Sequence, residues 1–235
     1  GQQKIRESVV AGSFYPAKAK DLESTLTSLF NDAYSVVPGE KVKALIVPHA
    51  GYTFSGKVAA SAYKSIGSNQ TYDNIFILAS SHNVSFGKAS VYNLGNYETP
   101  LGEVPVNLGI ANKLIDNNSC FVFQRNAHSR EHSIEVQLPF LQYYLTKKIP
   151  IIPIVLGTQD PQMCKEIATA LLPYFTENNL FIISADFSHY PAYEDAVRID
   201  NITANSICEG DPDKFLETLR NNSKKNIPGL VTSMC

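Results

Sequence analysis

Short apolar runs rich in β-branched residues alternate along the chain with longer stretches of helical period. An apolar run without polar alternation needs cover on both of its faces, which is the environment of a strand in a parallel sheet. The sequence therefore predicts buried strands at four places: Ala44–Val47, Ile75–Leu78, Ile151–Leu156 and Leu180–Ile183.

Between these strands, apolar residues recur every three or four positions, which is the spacing of an amphipathic helix. The stretches with this period are Asp21–Leu29, Val58–Ile66, Ile134–Leu145, Cys164–Tyr174 and Tyr193–Cys208. Such alternation of strands and helices predicts an α/β fold with a mostly parallel sheet between helical layers.

One segment, Ala89–Leu108, breaks this alternation. Within it, Val91–Leu94 and Val104–Val106 flank a polar turn that contains proline and glycine. Two short apolar runs around such a turn are typical of a hairpin, so we expect a hairpin or an edge excursion here.

The composition limits the class of protein. A chain of 235 residues with 44% hydrophobic and 18% charged side chains fits one globular domain, which we expect to span residues 1–235. Its formal charge of -2 lacks the excess of positive charge that attracts nucleic acids or anionic membranes. We therefore expect neither nucleic acid nor membrane as a partner.

The cysteines and the first residue bear on the compartment. Four cysteines without a CxxC pair indicate neither a zinc ribbon nor a disulfide framework. No apolar stretch approaches the roughly 18 residues of a membrane span. We expect a cytoplasmic protein, or an exported one if Gly1 is the mature end left after removal of a signal peptide.

Three of the five histidines follow closely after predicted strands: His49, His82 and His189. The carboxyl edge of an open parallel sheet is where polar groups from several strands converge, because helices cover both faces of the sheet. Asp186 lies in the same predicted loop as His189. The sequence thus predicts a polar site at this edge.

A metal ion would suit such a site. Two neutral imidazoles and an anionic group form a ligand set that iron, zinc or copper accepts. From the residues alone, the third ligand stays open between the carboxylates of Asp186 and Glu135 and the thiolate of Cys235.

Two motifs resemble known sites without fitting them. The segment Gly51–Lys57 has the GxxxxGK spacing of a phosphate-binding loop, but Val58 stands where the motif needs a hydroxyl. The run His128–His132 has the H-x-x-E-H order of a zinc-protease helix. We instead expect a loop that leads into a helix beginning near Glu131, with His132 and Glu135 on one helix face as pocket groups that support the site.

Seven blocks of sequence, in order and nearly end to end, resemble the Memo family, whose bacterial members are also called AmmeMemoRadiSam system protein B. The blocks are AGSFYPA (Ala11–Ala17), VPHAGYTFSG (Val47–Gly56), SSHN (Ser80–Asn83), ETPLG (Glu98–Gly102), EHSIEVQLPFL (Glu131–Leu141), SADFSHY (Ser184–Tyr190) and TSMC (Thr232–Cys235). The resemblance implies a fold similar to class III extradiol dioxygenases, which hold non-haem iron on two histidines and a carboxylate.

The resemblance also implies roles for particular residues. It assigns His49, His82 and Cys235 as metal ligands, with iron as the expected metal and copper or zinc as alternatives. It assigns Asp186 and His189 as a catalytic pair that handles protons or orients substrate. Ser81 and Phe14 lie in matching blocks and join His132 and Glu135 as expected pocket residues.

Two departures from the family pattern accompany these expectations. The animal member has Trp where this chain has Phe14, so the peptide-binding surface proposed for that member does not transfer directly. Family members also continue past the matching cysteine with a further helix and strands, which we expect this chain to lack after Cys235.

The resulting expectation is a metal-dependent, dioxygenase-like oxidoreductase with a redox or oxygenase type of activity. The alternative is a non-catalytic module that recognises an anionic ligand or a partner protein through a vestigial pocket. Expected partners are a small molecule or an anionic peptide, with a functional association with radical-SAM and AMMECR1-like proteins that the family's name implies.

Overall fold

The computed structural model of the chain describes residues 4–37, 41–187 and 193–223. These residues belong to two compact units, the first ending at Ser184 and the second beginning at Ala185. The single domain expected over residues 1–235 stays a prediction.

The first unit is an α/β unit in which strands and helices alternate for most of its length. Its elements in chain order are α1 (Ala19–Asp32), β1 (Ala44–Val47), α2 (Tyr52–Lys64), β2 (Asn74–Ser80), β3 (Ala89–Val91), β4 (Tyr97–Thr99), β5 (Gly102–Val104), α3 (Leu108–Asn117), β6 (Phe121–Val122), α4 (Arg125–His128), a 3-10 turn (Glu135–Gln137), α5 (Leu138–Tyr144), β7 (Ile151–Leu156), α6 (Pro161–Leu171), a 3-10 turn (Leu172–Tyr174) and β8 (Asn179–Ser184). All four predicted strands are confirmed as strands. The burial predicted for Ala44–Val47 is wrong, because β1 is an edge strand on which Ala44 and Ile46 are exposed.

Six strands form one sheet in the order β1-β8-β2-β7-β3-β6. The four strands from β1 to β7 run parallel, β3 pairs antiparallel with β7, and β6 runs parallel to β3. The predicted α/β class with a mostly parallel sheet is confirmed, and the arrangement is consistent with an extradiol dioxygenase-like fold.

Packing covers both faces of the inner strands β8, β2 and β7, as their uninterrupted apolar runs require. Side chains alternate between the faces along a strand. On one face, Ile75 and Ile77 join the apolar cluster that contains residues of α1, α2 and α5. On the other, Phe76 stacks on Phe181 with ring centroids 4.6 Å apart, and Tyr174 packs on Phe76.

The hairpin forms at a position different from the predicted one. Its strands are β4 and β5, joined antiparallel inside the segment that was expected to be the turn. Val91, the first residue of the other predicted run, is instead the last residue of strand β3, which joins the large sheet. The apolar run was misassigned because β3 is covered on both faces, so the alternation that marks a hairpin strand is missing from it.

The helix expected to begin near Glu131 also begins later. Residues 131–134 are non-helical, a 3-10 turn covers Glu135–Gln137, and α5 starts only at Leu138. Pro139 lies in the first turn of α5, where its missing N–H costs no helical hydrogen bond. His132 and Glu135 therefore do not share a helix face, and that part of the prediction is wrong.

The second unit contains two helices in its described part, α7 (Tyr193–Cys208) and α8 (Pro212–Ser223). They pack against each other, and Ile199 and Leu219 are buried. Gly210 connects them with a φ of 69°, a left-handed conformation that glycine adopts without strain. Among the described residues, none of the helices combines the length and the apolar character that crossing a membrane requires.

Within the first unit, backbone hydrogen bonds hold the N-terminal segment against the stretch that precedes β4. The Lys4 N–H donates to the Leu94 carbonyl at 3.0 Å and the Arg6 N–H to the Asn96 carbonyl at 2.8 Å. Gly95 lies between these two acceptors, and a Cβ on it would be 2.5 Å from the Lys4 carbonyl oxygen. Only glycine permits this close approach of two backbones.

We expect Gly95→Ala to lower the free energy of unfolding by about 1–3 kcal/mol, the usual effect of overpacking. Backbone atoms of Lys4 meet the added methyl group, and they cannot move without breaking the pairing. Urea denaturation measures the change. Gly67→Ala is the matched control, since the nearest atom to its new Cβ is a side-chain atom, Gln70 Nε2, at 3.4 Å. A larger loss there than at Gly95 would contradict the explanation.

Candidate metal centre

Three neighbouring strands end together beneath the candidate site. His49 lies two residues after the end of β1, and His82 lies two residues after the end of β2. Strand β8 runs between them, and its last residue, Ser184, is in register with Val47 and Ala79. The parallel order thus brings both histidines to the carboxyl edge of the sheet, as the sequence predicted.

His132 joins these two histidines to form a cluster of three imidazoles. The ring centroids are 5.0 Å apart for His49 and His82, 5.5 Å for His49 and His132, and 4.5 Å for His82 and His132. One ring nitrogen from each residue lies within 4.8 Å of the other two. We call these three side chains the histidine cluster.

The hydrogen bonds of Ser184 decide which nitrogen of His49 carries a proton. The Ser184 hydroxyl donates its single proton to the Ser133 carbonyl at 2.7 Å. His49 Nδ1 lies 3.0 Å from the same hydroxyl oxygen, so Nδ1 must be the donor in that contact. The lone pair of the neutral His49 ring is then on Nε2.

A buried glutamine fixes Ser184 in turn. Gln137 donates from Nε2 to the Ser184 hydroxyl at 2.9 Å and to the Pro48 carbonyl at 3.0 Å. Its Oε1 accepts from the buried Tyr63 hydroxyl at 2.7 Å. Because the two acceptors require the amide NH₂ group, only one orientation of Gln137 satisfies all three contacts. A chain of hydrogen bonds therefore extends from the core to the His49 ring.

His82 is held by a different kind of partner. Ser81 accepts hydrogen bonds from the N–H groups of Asn83 and Val84 and so shapes the turn that carries His82. The Glu131 carboxylate accepts from His82 Nδ1 at 2.8 Å and from the His82 backbone N–H at 2.8 Å. The lone pair of the neutral His82 ring is thus also on Nε2.

Glu131 is a buried carboxylate in its ionised form. Burial by itself raises its pKa, but the hydrogen bonds and charge of His82 and the hydrogen bond from Ser133 outweigh this and lower it to about 2. Its side chain is 1% exposed and also lies 3.6 Å from His132 Nδ1. One negative charge therefore contacts two rings of the histidine cluster.

Phe14 packs against the third ring of the cluster. Its ring centroid lies 4.7 Å from that of His132, and its carbonyl accepts a hydrogen bond from the Tyr52 N–H at the start of α2. The structure therefore brings Phe14 and His132 together beside His49 and His82, with Ser81 adjacent in the chain to His82.

Glu135 does not join the histidine cluster, and its role as a supporting pocket group stays a prediction. Its carboxylate pairs with Arg6 and accepts hydrogen bonds from the N–H groups of Val9 and Val10 and from the Tyr15 hydroxyl. These contacts occupy both oxygens. Because the residue lies in a 3-10 turn rather than on a helix face with His132, its side chain secures the N-terminal segment instead.

The H-x-x-E-H order does not form a zinc-protease site. His128 ends the short helix α4, and its Nε2 lies 2.8 Å from the Ser90 hydroxyl, whereas His132 lies in the histidine cluster. Likewise, Gly51–Lys57 is not a phosphate-binding loop, because helix α2 begins at Tyr52. Neither segment therefore forms the site that its sequence motif resembles.

The remaining predicted site residues stay predictions. Cys235 and His189 lie outside the described residues. Asp186 is half-buried and lies in the segment that begins the second unit. Its assignment as a catalytic group stays a prediction.

The histidine cluster fits the coordination preferences of a transition metal. Metal–nitrogen bonds of about 2.1 Å place tetrahedral ligands roughly 3.4 Å apart, which small rotations of rings within 4.8 Å can reach. Metal-bound histidines commonly donate their second N–H to a carboxylate or another oxygen, as His82 does to Glu131 and His49 to Ser184.

Sequence reasoning missed the residues that orient the rings. Glu131, Ser184 and Gln137 all lie within sequence blocks that carry the family resemblance, but no spacing rule pairs them with a histidine. The usable signals were slight: a glutamate directly beside a histidine, and a serine as the last residue of a strand next to two histidine-bearing strands.

Comparison with known proteins gives a consistent result. A family model described as Memo-like protein matches residues 6–235. A MEMO1 family protein of Desulfurococcus amylolyticus is 34% identical over 230 residues, covering 93% of this chain and 81% of that protein. One from Thermoplasma volcanium is 35% identical over 215 residues, with 92% and 78% covered, and one from Nitrosopumilus maritimus is 35% identical over 221 residues, with 92% and 80% covered.

His128 makes stability depend on pH. Burial first, and then the charge of Arg6, lower its pKa to about 3, with Glu131 opposing this shift. As pH falls below about 6.5, the unfolded chain takes up a proton at this residue and the folded chain does not. The free energy of unfolding therefore decreases, by at most about 1.4 kcal/mol per pH unit.

We expect His128→Gln to flatten this dependence, because Gln has no proton to take up in this range. Denaturation curves at pH 7 and pH 5 for both proteins isolate the contribution, since other groups titrate equally in each. An unchanged difference between the two pH values would show that His128 is protonated in the folded protein.

Proposed function

This chain belongs to the Memo family, and from that premise we propose that it holds one transition-metal ion on His49, His82 and His132. The observation that supports this most directly is the approach of three ring nitrogens to within 4.8 Å of one another. The thiolate of Cys235, which the family resemblance assigns as a ligand, is a further member of the proposed set. The proposed metal is iron, with copper or zinc as alternatives.

Hydrogen bonding prepares two of the rings for this role. Because Ser184 and Glu131 accept from the Nδ1 atoms of His49 and His82, the Nε2 atoms of the neutral rings carry the lone pairs that a metal requires. Each oxygen partner also limits rotation of its ring. The centre thus requires little reorganisation when a metal binds.

The proposed activity is a redox or oxygenase reaction on a small substrate. When bound, iron held by imidazoles supplies Lewis-acid and one-electron chemistry. The rings of the histidine cluster differ in their exposure to solvent. His49 is 6% exposed, whereas the His82 side chain is 41% exposed. A substrate would therefore approach from the side of His82, with Phe14 as an apolar surface next to His132.

Anaerobic titration of the purified, metal-free chain with ferrous iron tests the proposal. We expect one ion per chain, and we expect His49→Ala, His82→Ala and His132→Ala each to weaken binding by more than about 100-fold, beyond the loss usual for an outer-shell partner. His128→Gln is the matched control, because its ring bonds to Ser90 instead, and it should keep full affinity.

The other outcomes are equally informative. Loss of binding in the first two variants but not in His132→Ala would return His132 to the supporting role expected from the sequence. Absence of binding for iron, copper and zinc alike would overturn the metal centre. The alternative, a module that binds an anionic ligand, would then be supported if inorganic phosphate or phosphotyrosine binds the metal-free protein.

A further inference from the structure

We propose that Glu131 is a positioning residue of the centre, whose carboxylate sets the tautomer of His82 and lies 3.6 Å from His132 Nδ1. This inference rests on the metal centre proposed above and adds to it the residue that orients one of its three rings and contacts a second. Glu131 was not among the residues that the sequence singled out for the site.

The first step concerns His82, the most exposed ring of the histidine cluster. It lies on a turn after β2, with 41% of its side chain exposed. A neutral imidazole has two tautomers, and the hydrogen bond at one nitrogen decides which of them is present. Glu131 accepts from the ring Nδ1 and from the backbone N–H of the same residue, so it fixes both the ring and the chain that carries it.

The second step concerns the two oxygens of the carboxylate, which have separate donors. Oε1 accepts from His82 Nδ1 at 2.8 Å, from the Ser133 N–H at 3.2 Å and from the Ser133 hydroxyl at 2.8 Å. Oε2 accepts from the His82 N–H at 2.8 Å and from Asn83 Nδ2 at 3.3 Å. All of these contacts need an acceptor, so both oxygens are required.

The third step concerns charge. Within the part of the chain that the structure describes, the titratable side chains within 4.0 Å of the Glu131 carboxylate are the rings of His82 and His132. Both rings serve as metal ligands only when they are neutral. A buried carboxylate beside neutral rings leaves a net negative charge, and buried charges are normally paired or close to a metal. A cation in the centre would balance Glu131.

An amide in place of the carboxylate cannot reproduce this arrangement. In Glu131→Gln, one of the two positions becomes an NH₂ group and faces either the His82 N–H or the His82 Nδ1–H and Ser133 donors. If the NH₂ group faces the ring, His82 must accept at Nδ1 and carry its proton on Nε2. That tautomer removes the lone pair from the nitrogen that would bind a metal.

Nitrogen-15 NMR of the histidine rings tests this without any metal. At pH 8, above the ordinary range of imidazole titration, we expect metal-free wild-type protein to show His82 protonated on Nδ1 and unprotonated on Nε2. In Glu131→Gln we expect a measurable fraction of the opposite tautomer at His82 and no change at His49, whose partner is Ser184. Ser184→Ala is the reciprocal control and should alter His49 alone.

Iron titration of the same variants gives the second readout. We expect Glu131→Gln to weaken iron binding by about 10–100-fold, the usual effect of losing a carboxylate that supports a histidine ligand. Glu98→Gln removes a carboxylate from an exposed position and should leave the affinity unchanged. Circular dichroism and urea denaturation establish that each variant is folded.

The two proposals fail in different ways. If wild-type His82 is protonated on Nε2, or if folded Glu131→Gln keeps the His82 tautomer and the iron affinity, the role of Glu131 is overturned while the centre stands. If wild-type protein binds no metal, the centre itself fails. Should Glu131→Gln not fold, the wild-type tautomer still decides the question, because it needs no variant.

Discussion

The site depends on the parallel alignment of β1, β8 and β2, which end at the same edge of the sheet. Main-chain hydrogen bonds fix the register of these strands, and that register places Ser184 between the segments that carry His49 and His82. Side chains that are distant in sequence thus lie together because the strands that carry them are paired in a fixed register. The positions of His49 and His82 are therefore set by backbone pairing within the sheet.

The sequence predicted this framework well because long apolar runs have few structural interpretations. The four strands of the parallel group and helix α7 were predicted close to their observed bounds, and so was the edge at which His49 and His82 meet. The short strands β4, β5 and β6 were not, because two or three residues carry too little periodicity. The position of His132 was missed for a related reason, since residues 131–134 follow no regular period.

The orienting contacts could not be predicted, because each joins residues far apart in the chain. Ser184 meets His49 across 135 positions, and Glu131 meets His82 across 49. Glu135 illustrates the opposite error: its spacing from His132 suggested a shared face, but Arg6 draws its carboxylate elsewhere. Local spacing finds candidate ligands, whereas their protonation and orientation depend on the tertiary structure.

The attachment of the N-terminal segment adds a further part to the surroundings of the histidine cluster. Glu135 anchors Val9, Val10 and Tyr15, and this anchoring keeps Phe14 in place against His132. A wall of the site is therefore contributed by residues that hold no metal and precede the first strand. Proteolytic trimming of this leading stretch would uncover the His132 ring while every imidazole stayed in the chain.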